Sequence, residues 1–319
     1  CQAYGATGWA QRYRLRVRGG KPLDFQGALN VKPQGRNRGW YLLAGLSGKP
    51  RVDSVPRPHY DPAMLLAPLA LAETWGALGA RTQHGYGVVA ADIKEEGQPV
   101  TVDQAIIHRL PTGNKTSDDG RPSLRNMFFA KAVFKVTSIR WWQQADGLQH
   151  IDRRDENKLR AWIDSGSAPI SPAIRNYLRY RKGLGLHGYG PKNFIFGSSR
   201  PVCKLCYDGR CGHRAGQWER VKTKLHISAA YAPPDGKLMR EIRIWGWLPH
   251  DLPRGVRLDR ERVLDTIHDL LENQQTWRET LGPAIHFDHL EWREFGAPRR
   301  DTQTGGLEDP RAFLAKLLA

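Results

Sequence analysis

One order of motifs occurs twice in this chain, and a repeat constrains architecture more than any single element does, because each copy has to build the same unit. YGATGW precedes RYRLRV in the first copy (residues 4–9 and 12–17), and FGSSRP precedes KTKLHI in the second (196–201 and 222–227). A tryptophan-bearing apolar strand follows each time, GWYLLAGL at 39–46 and IRIWGWL at 242–248, and then a long helix, the second from about Asp259 to Thr280. The second copy is nearly whole and opens with the apolar strand MFFAKAVFKVTSI at 127–139. The first lacks everything ahead of its glycine turn, and the sequence starts at Cys1 without methionine. Both features lead us to expect a processed, truncated or partly covered polypeptide.

The first repeated strand alternates with a period of two. Arg12, Arg14, Arg16 and Arg18 fall on one face and Tyr13, Leu15 and Val17 on the other, and Gly19-Gly20 ends the strand. Four like charges along one face repel unless an anion lies across them, so a polyanion contact is favoured over a solvated amphipathic strand. In the second copy Lys222, Lys224 and His226 share a strand face in the same way.

The net charge of +17, from 49 Lys and Arg against 32 Asp and Glu, points to nucleic acid or another anionic partner. With 40% hydrophobic residues a packed core is available, and wholesale disorder is excluded. No membrane partner is expected, since the longest apolar run, AMLLAPLALA at 63–72, is half of the roughly 20 residues a span requires and runs into Glu73. It reads as a buried helix over about Asp61 to Trp75, followed by the glycine-rich loop GALGARTQHGYG at 76–87 and a strand at Val88 to Ile93. Residues 111–122, PTGNKTSDDGRP, carry no periodicity and mark a domain boundary, giving units at 1–122 and 123–319.

Two further segments carry candidate chemistry. Ser171 supplies an N-cap and Pro172 a first-turn proline for a helix, SPAIRNYLRYRK, with Ile174, Tyr177 and Leu178 on a core face and Arg175, Arg179 and Lys182 stacked on another. A second glycine run at 183–190 follows, with His187 and Tyr189 available to hold a backbone or stack a base, or else serving as a hinge. The sequence CKLCYDGRCGH then offers Cys203, Cys206, Cys211 and His213, a set suited to tetrahedral structural Zn2+. The short Cys211-x-His213 bite leaves His187 or His226 as alternative fourth ligands. A closed site has no position for an activating water, so its expected role is to pin an insertion at about 200–216. Three clustered cysteines in a chain of four suit a reducing cytoplasm better than a disulfide framework.

Alternating strands and helices, a duplicated α+β unit and basic strand faces describe two ferredoxin-like, RRM-like modules that bind RNA. The first is incomplete at its N-terminus; the second carries the zinc insertion. TWGALGARTQHGYGVV at 74–89 resembles the glycine-rich signature loop of the RAMP superfamily, RNA-binding proteins of CRISPR systems. Together with YGATGW ahead of an arginine strand, it resembles the double-RAMP head subunit of type III-B (Cmr) effector complexes. SPAIRNYLR at 171–179 is similar to that family's S-x-x-I-R helix start, whereas LGPAIHFDHLEW at 281–292 has lost most of the glycines a second signature loop would have.

The resemblance implies a non-catalytic scaffold near the 3′ end of the guide RNA, in contact with guide RNA, target RNA and other RAMP subunits. Gly79, Gly85 and Gly87 let backbone N–H groups approach phosphate, and Arg81, His84 and Tyr86 add donors and a ring. His84 and Tyr86, with Asp118-Asp119, are the alternative machinery of a guide-processing endoribonuclease. Phosphate binding, base stacking and solvated loop acids account for them without catalysis.

Overall fold

The structure is a computed structural model. It describes residues 60–78, 87–110, 123–138, 141–145, 170–182, 184, 186–198, 200–209, 211, 218–232, 238–250, 252 and 256–319, together with Asp53 and the backbone of the strands within 13–56 and at 167–168. The chain is mixed α+β, and among the described residues every strand pair is antiparallel.

β1 (Tyr13–Arg18), β2 (Lys21–Pro22), β3 (Ala28–Val31), β4 (Trp40–Leu43), β5 (Leu46–Ser47) and β6 (Arg51–Pro56) nest as three pairs, β1 with β6, β2 with β5 and β3 with β4. The arginine strand ends at Arg18, directly before the two glycines. Helix α1 (Ala63–Trp75) forms where the apolar run lies. The strand expected over Val88–Ile93 does not form: the Ala91 N–H is taken by the Glu73 carboxylate at 2.7 Å, and a short hairpin of β7 (Lys94–Glu95) and β8 (Gln98–Pro99) comes after it. Helix α2 (Gln104–His108) follows, capped by Asp103.

The principal sheet is built on β9 (Met127–Val136), whose alternation sends Phe128, Ala130, Ala132, Phe134 and Val136 into one core and Lys131, Val133 and Lys135 to the opposite face. Chain order continues with β10 (Ser167–Ala168), helix α3 (Ser171–Asn176) running on as a π-helical segment Tyr177–Lys182, helix α4 (Tyr189–Phe196), and the pair β11 (Val202–Cys203) and β12 (Trp218–Glu219). β13 (Leu225–Ile227), β14 (Ala230–Tyr231), β15 (Met239–Trp247), helices α5 (Arg260–Glu272) and α6 (Gln274–Leu281), β16 (Ile285–Glu294) and helix α7 (Pro310–Leu318) complete it. Across the sheet the order is β16, β9, β15, then β13 and β14 along one edge of β15, with β10 outermost. Ile174, Tyr177, Ile267, Leu271 and Trp277, from α3 and its continuation, α5 and α6, join the β9 side chains in the main core.

The helix expected to run unbroken from Asp259 to Thr280 is two. Asn273 leaves helical geometry and its side chain accepts the Gln275 N–H at 2.7 Å, an N-cap that starts α6 as a separate helix. The helix expected to be capped by Ser171 instead begins there, with Ile170 ahead of it and the serine buried. Behind β16, Glu294 is fully buried and meets Arg300 at 2.8 Å, while Arg300 also reaches Asp265 at 2.6 Å and Glu261 at 2.7 Å. Those ion pairs clamp the segment after β16 onto α5.

The opposite face of the sheet is covered by α1 and α7. Trp75 packs with Phe129, Phe313 and Leu317, and its indole N–H donates to the Leu317 carbonyl at 2.7 Å. Lys131 lies 4.2 Å from the Trp75 ring centroid, and Arg293 lies 5.5 Å from it. Arg243 donates to the Ala72 and Gly76 carbonyls at 3.4 and 3.3 Å, so sheet cations meet the negative end of the α1 dipole. The expected boundary at 111–122 lies outside the described residues, and packing crosses it: α1 and α2 share a small core with α7. Among the described residues no helix is long and apolar enough to cross a membrane.

Candidate metal centre and basic surfaces

The cysteine spacing becomes a compact turn. Cys203 ends β11; its N–H donates to the Asp208 carbonyl at 3.1 Å, and its own carbonyl accepts the Tyr207 N–H at 2.7 Å. Tyr207 takes the left-handed conformation (φ 58°) that reverses the chain. The sulfurs of Cys203, Cys206 and Cys211 lie within 4.8 Å of one another. Around one tetrahedral zinc ion sulfurs stand about 3.8 Å apart, so the three thiols fit as a donor set. Backbone N–H groups, that of Leu205 foremost, hold the Cys203 thiol below its ordinary pKa, while burial pushes Cys206 up to about 11. A metal cation relieves that conflict by stabilising every thiolate at once. His213 lies outside the described residues.

Helix α4 seats this turn. Asn193 donates to the Tyr207 carbonyl at 2.9 Å, the Phe194 and Tyr207 rings meet edge to face at 5.0 Å, and Gly190 backs onto Cys206 so closely that a Cβ there would stand 2.3 Å from its carbonyl oxygen. Arg175 and Arg179 hold α4 from the other end. Arg175 donates to the Phe196 carbonyl, and Arg179 reaches the Gly197 carbonyl and the Asn193 side chain, both at 2.9 Å. Guanidinium groups at the C-terminal end of a helix satisfy its orphan carbonyls and its dipole. The pair expected on a free basic helix face is therefore spent inside the protein, and of the three only Lys182 is exposed. Gly197 after YGPKNFIF is the sequence sign of that helix end.

The second repeated strand is also drawn inward. Lys224 is 8% exposed, with its ammonium 3.9 Å from the Phe194 ring centroid and 4.7 Å from that of Trp247. His226 stacks on Trp245 at 5.3 Å. Lys222 alone of the expected three stays exposed.

On β1, register sets Arg14 opposite Val55, Arg16 opposite Asp53 and Arg18 opposite Arg51. Register thus brings Asp53 and Arg51 opposite two of the arginine positions of β1. Arg12 lies outside the described residues, as do Gly79, Arg81, His84, Gly85 and Tyr86 of the glycine loop. The base of that loop is closed by the Leu78 N–H donating to the Gly87 carbonyl at 2.8 Å. Gly87 has φ 84°, and a Cβ there would stand 1.9 Å from the Leu78 oxygen, so only glycine fits.

Besides helix α4, the sequence left unseen the Lys131, Arg243 and Arg293 cradle under α1, whose residues come from three separate strands, and the exposed Trp218 on β12. No family model, curated protein or solved structure matches the chain.

Proposed function

We propose that this chain is a non-catalytic RNA-binding scaffold subunit of a type III-B CRISPR ribonucleoprotein, placed at the 3′ end of the guide RNA and helping to capture or hold target RNA. The observation that carries the reading is the strand order of the 127–294 sheet, β16, β9, β15, β13 and β14, with helices between β9 and β13 and between β15 and β16. A ferredoxin-like module has this order, and it is the unit that the repeated motifs and the RAMP resemblance call for. The net charge of +17 and the arginine strand β1 supply the phosphate contacts, and the loop closed by Leu78 and Gly87 supplies backbone donors. Cys203, Cys206 and Cys211, with His213 as fourth ligand, hold structural zinc that fixes the insertion on α4. Target cleavage belongs to another subunit of the assembly.

Filter binding of single-stranded RNA across a salt series tests the reading. The double variant Arg14→Ala/Arg16→Ala should bind more weakly and with a flatter salt dependence, since each lost phosphate contact removes about 0.7 from the log–log slope. An unchanged slope would strip β1 of its role. Specific RNA cutting by the purified protein, abolished by His84→Ala, would replace the scaffold with a processing endoribonuclease.

A further inference from the structure

Exposed large hydrophobic side chains are common singly, and one alone calls for no explanation. Among the described residues three gather at the cysteine turn: Leu205 inside it at 56% exposure, Trp218 at 45%, and Tyr189 at 61%. Trp218 is the β12 residue in register with Cys203, and Tyr189 directly precedes the Gly190 that abuts Cys206. An exposed ring thus stands opposite Cys203 and another next to the glycine that backs onto Cys206, with the exposed Leu205 lying between those two cysteines in the sequence.

The sequence around these side chains is predominantly cationic. From Lys182 to Lys222 the sequence carries eight Lys and Arg against two acids, Asp208 and Glu219. Glu219 is already paired with Lys204 at 2.9 Å, while Arg200, Arg220 and Lys222 are exposed. A cationic rim around exposed rings is complementary to a ligand that offers phosphate and unpaired bases together. An acidic protein surface would engage the rim alone.

Resting on the RNA-binding reading above, we propose that the cysteine turn is a stacking platform for single-stranded RNA, with a base on Trp218 and phosphates on Arg220 and Lys222. Stacking needs an unpaired base, so the platform takes single strands and rejects duplex. It lies away from β1 in the sequence, and its stacking on Trp218 adds affinity that salt does not screen.

Zinc-loaded protein and a 20-nucleotide oligouridylate supply the test. Base–aromatic stacking is worth about 1–3 kcal/mol, so Trp218→Ala should weaken binding by about 5- to 150-fold while leaving the salt slope unchanged, and Trp218→Phe should restore most of the affinity. Ultraviolet crosslinking of the wild-type protein should place the RNA on the peptide containing Trp218, a readout that stands even if Trp218→Ala loses its metal. Wild-type affinity in Trp218→Ala, or crosslinks confined to other peptides, overturns the platform while steep salt-dependent binding keeps the RNA reading. Failure of wild-type protein to bind the oligonucleotide at any salt concentration overturns both.

Discussion

Burial, with Arg175 nearby, holds the His226 imidazole at a pKa of about 4 against an ordinary 6.5. Between those values the unfolded chain binds a proton that the folded chain refuses. The stability His226 confers is therefore complete above pH 6.5 and is lost as pH falls toward 4, by up to about 3 kcal/mol. Urea midpoints should drop over that window in the wild type and less steeply in His226→Gln; parallel curves would remove His226 from the acid response. Lys224 obeys the same sign, because burial brings it down to about 8 from 10.5 and favours the folded state as pH rises between them. At neutral pH its charge is held between two rings, an arrangement that partly offsets the lost hydration.

Helix α4 works as a seat, gripped at its C-terminal end by Arg175 and Arg179 and bearing the cysteine turn along Gly190, Asn193 and Phe194. Gly190→Ala forces the helix and the turn apart, a mismatch of about 1–3 kcal/mol. The expected outcome is a lower melting temperature and metal surrendered to a chelator at a concentration on the order of tenfold lower. Unaltered metal retention and melting would show that the turn folds without α4. The CxxC spacing was readable in the sequence because it is local. Its seat was not, since α4 sat unrecognised between a glycine run and GSSR.

At the level of the molecule, Trp75 is the strut between the helices outside the sheet and the sheet itself. It fills a core with Phe129, Phe313 and Leu317, bonds the Leu317 carbonyl, and lies under Lys131. Trp75→Ala should cost about 3–5 kcal/mol in urea unfolding. Because Gly76 opens the glycine loop one residue later, the variant should also expose residues 76–87 to proteolysis faster than Trp75→Phe does. Wild-type stability and cleavage would mean that α1 is held by α2 and α7 alone.

Residue order alone determined several elements: β1 stands where its period of two placed it, α1, β9 and β15 form where the apolar runs lie, and the cysteine cluster follows from its spacing, because backbone geometry and short-range spacing are properties of neighbours in the chain. The tertiary structure alone decided which cations face water. Arg175, Arg179 and Lys224 read as a free basic surface until α4 and Trp247 close over them, and that closure depends on residues brought together from distant parts of the chain.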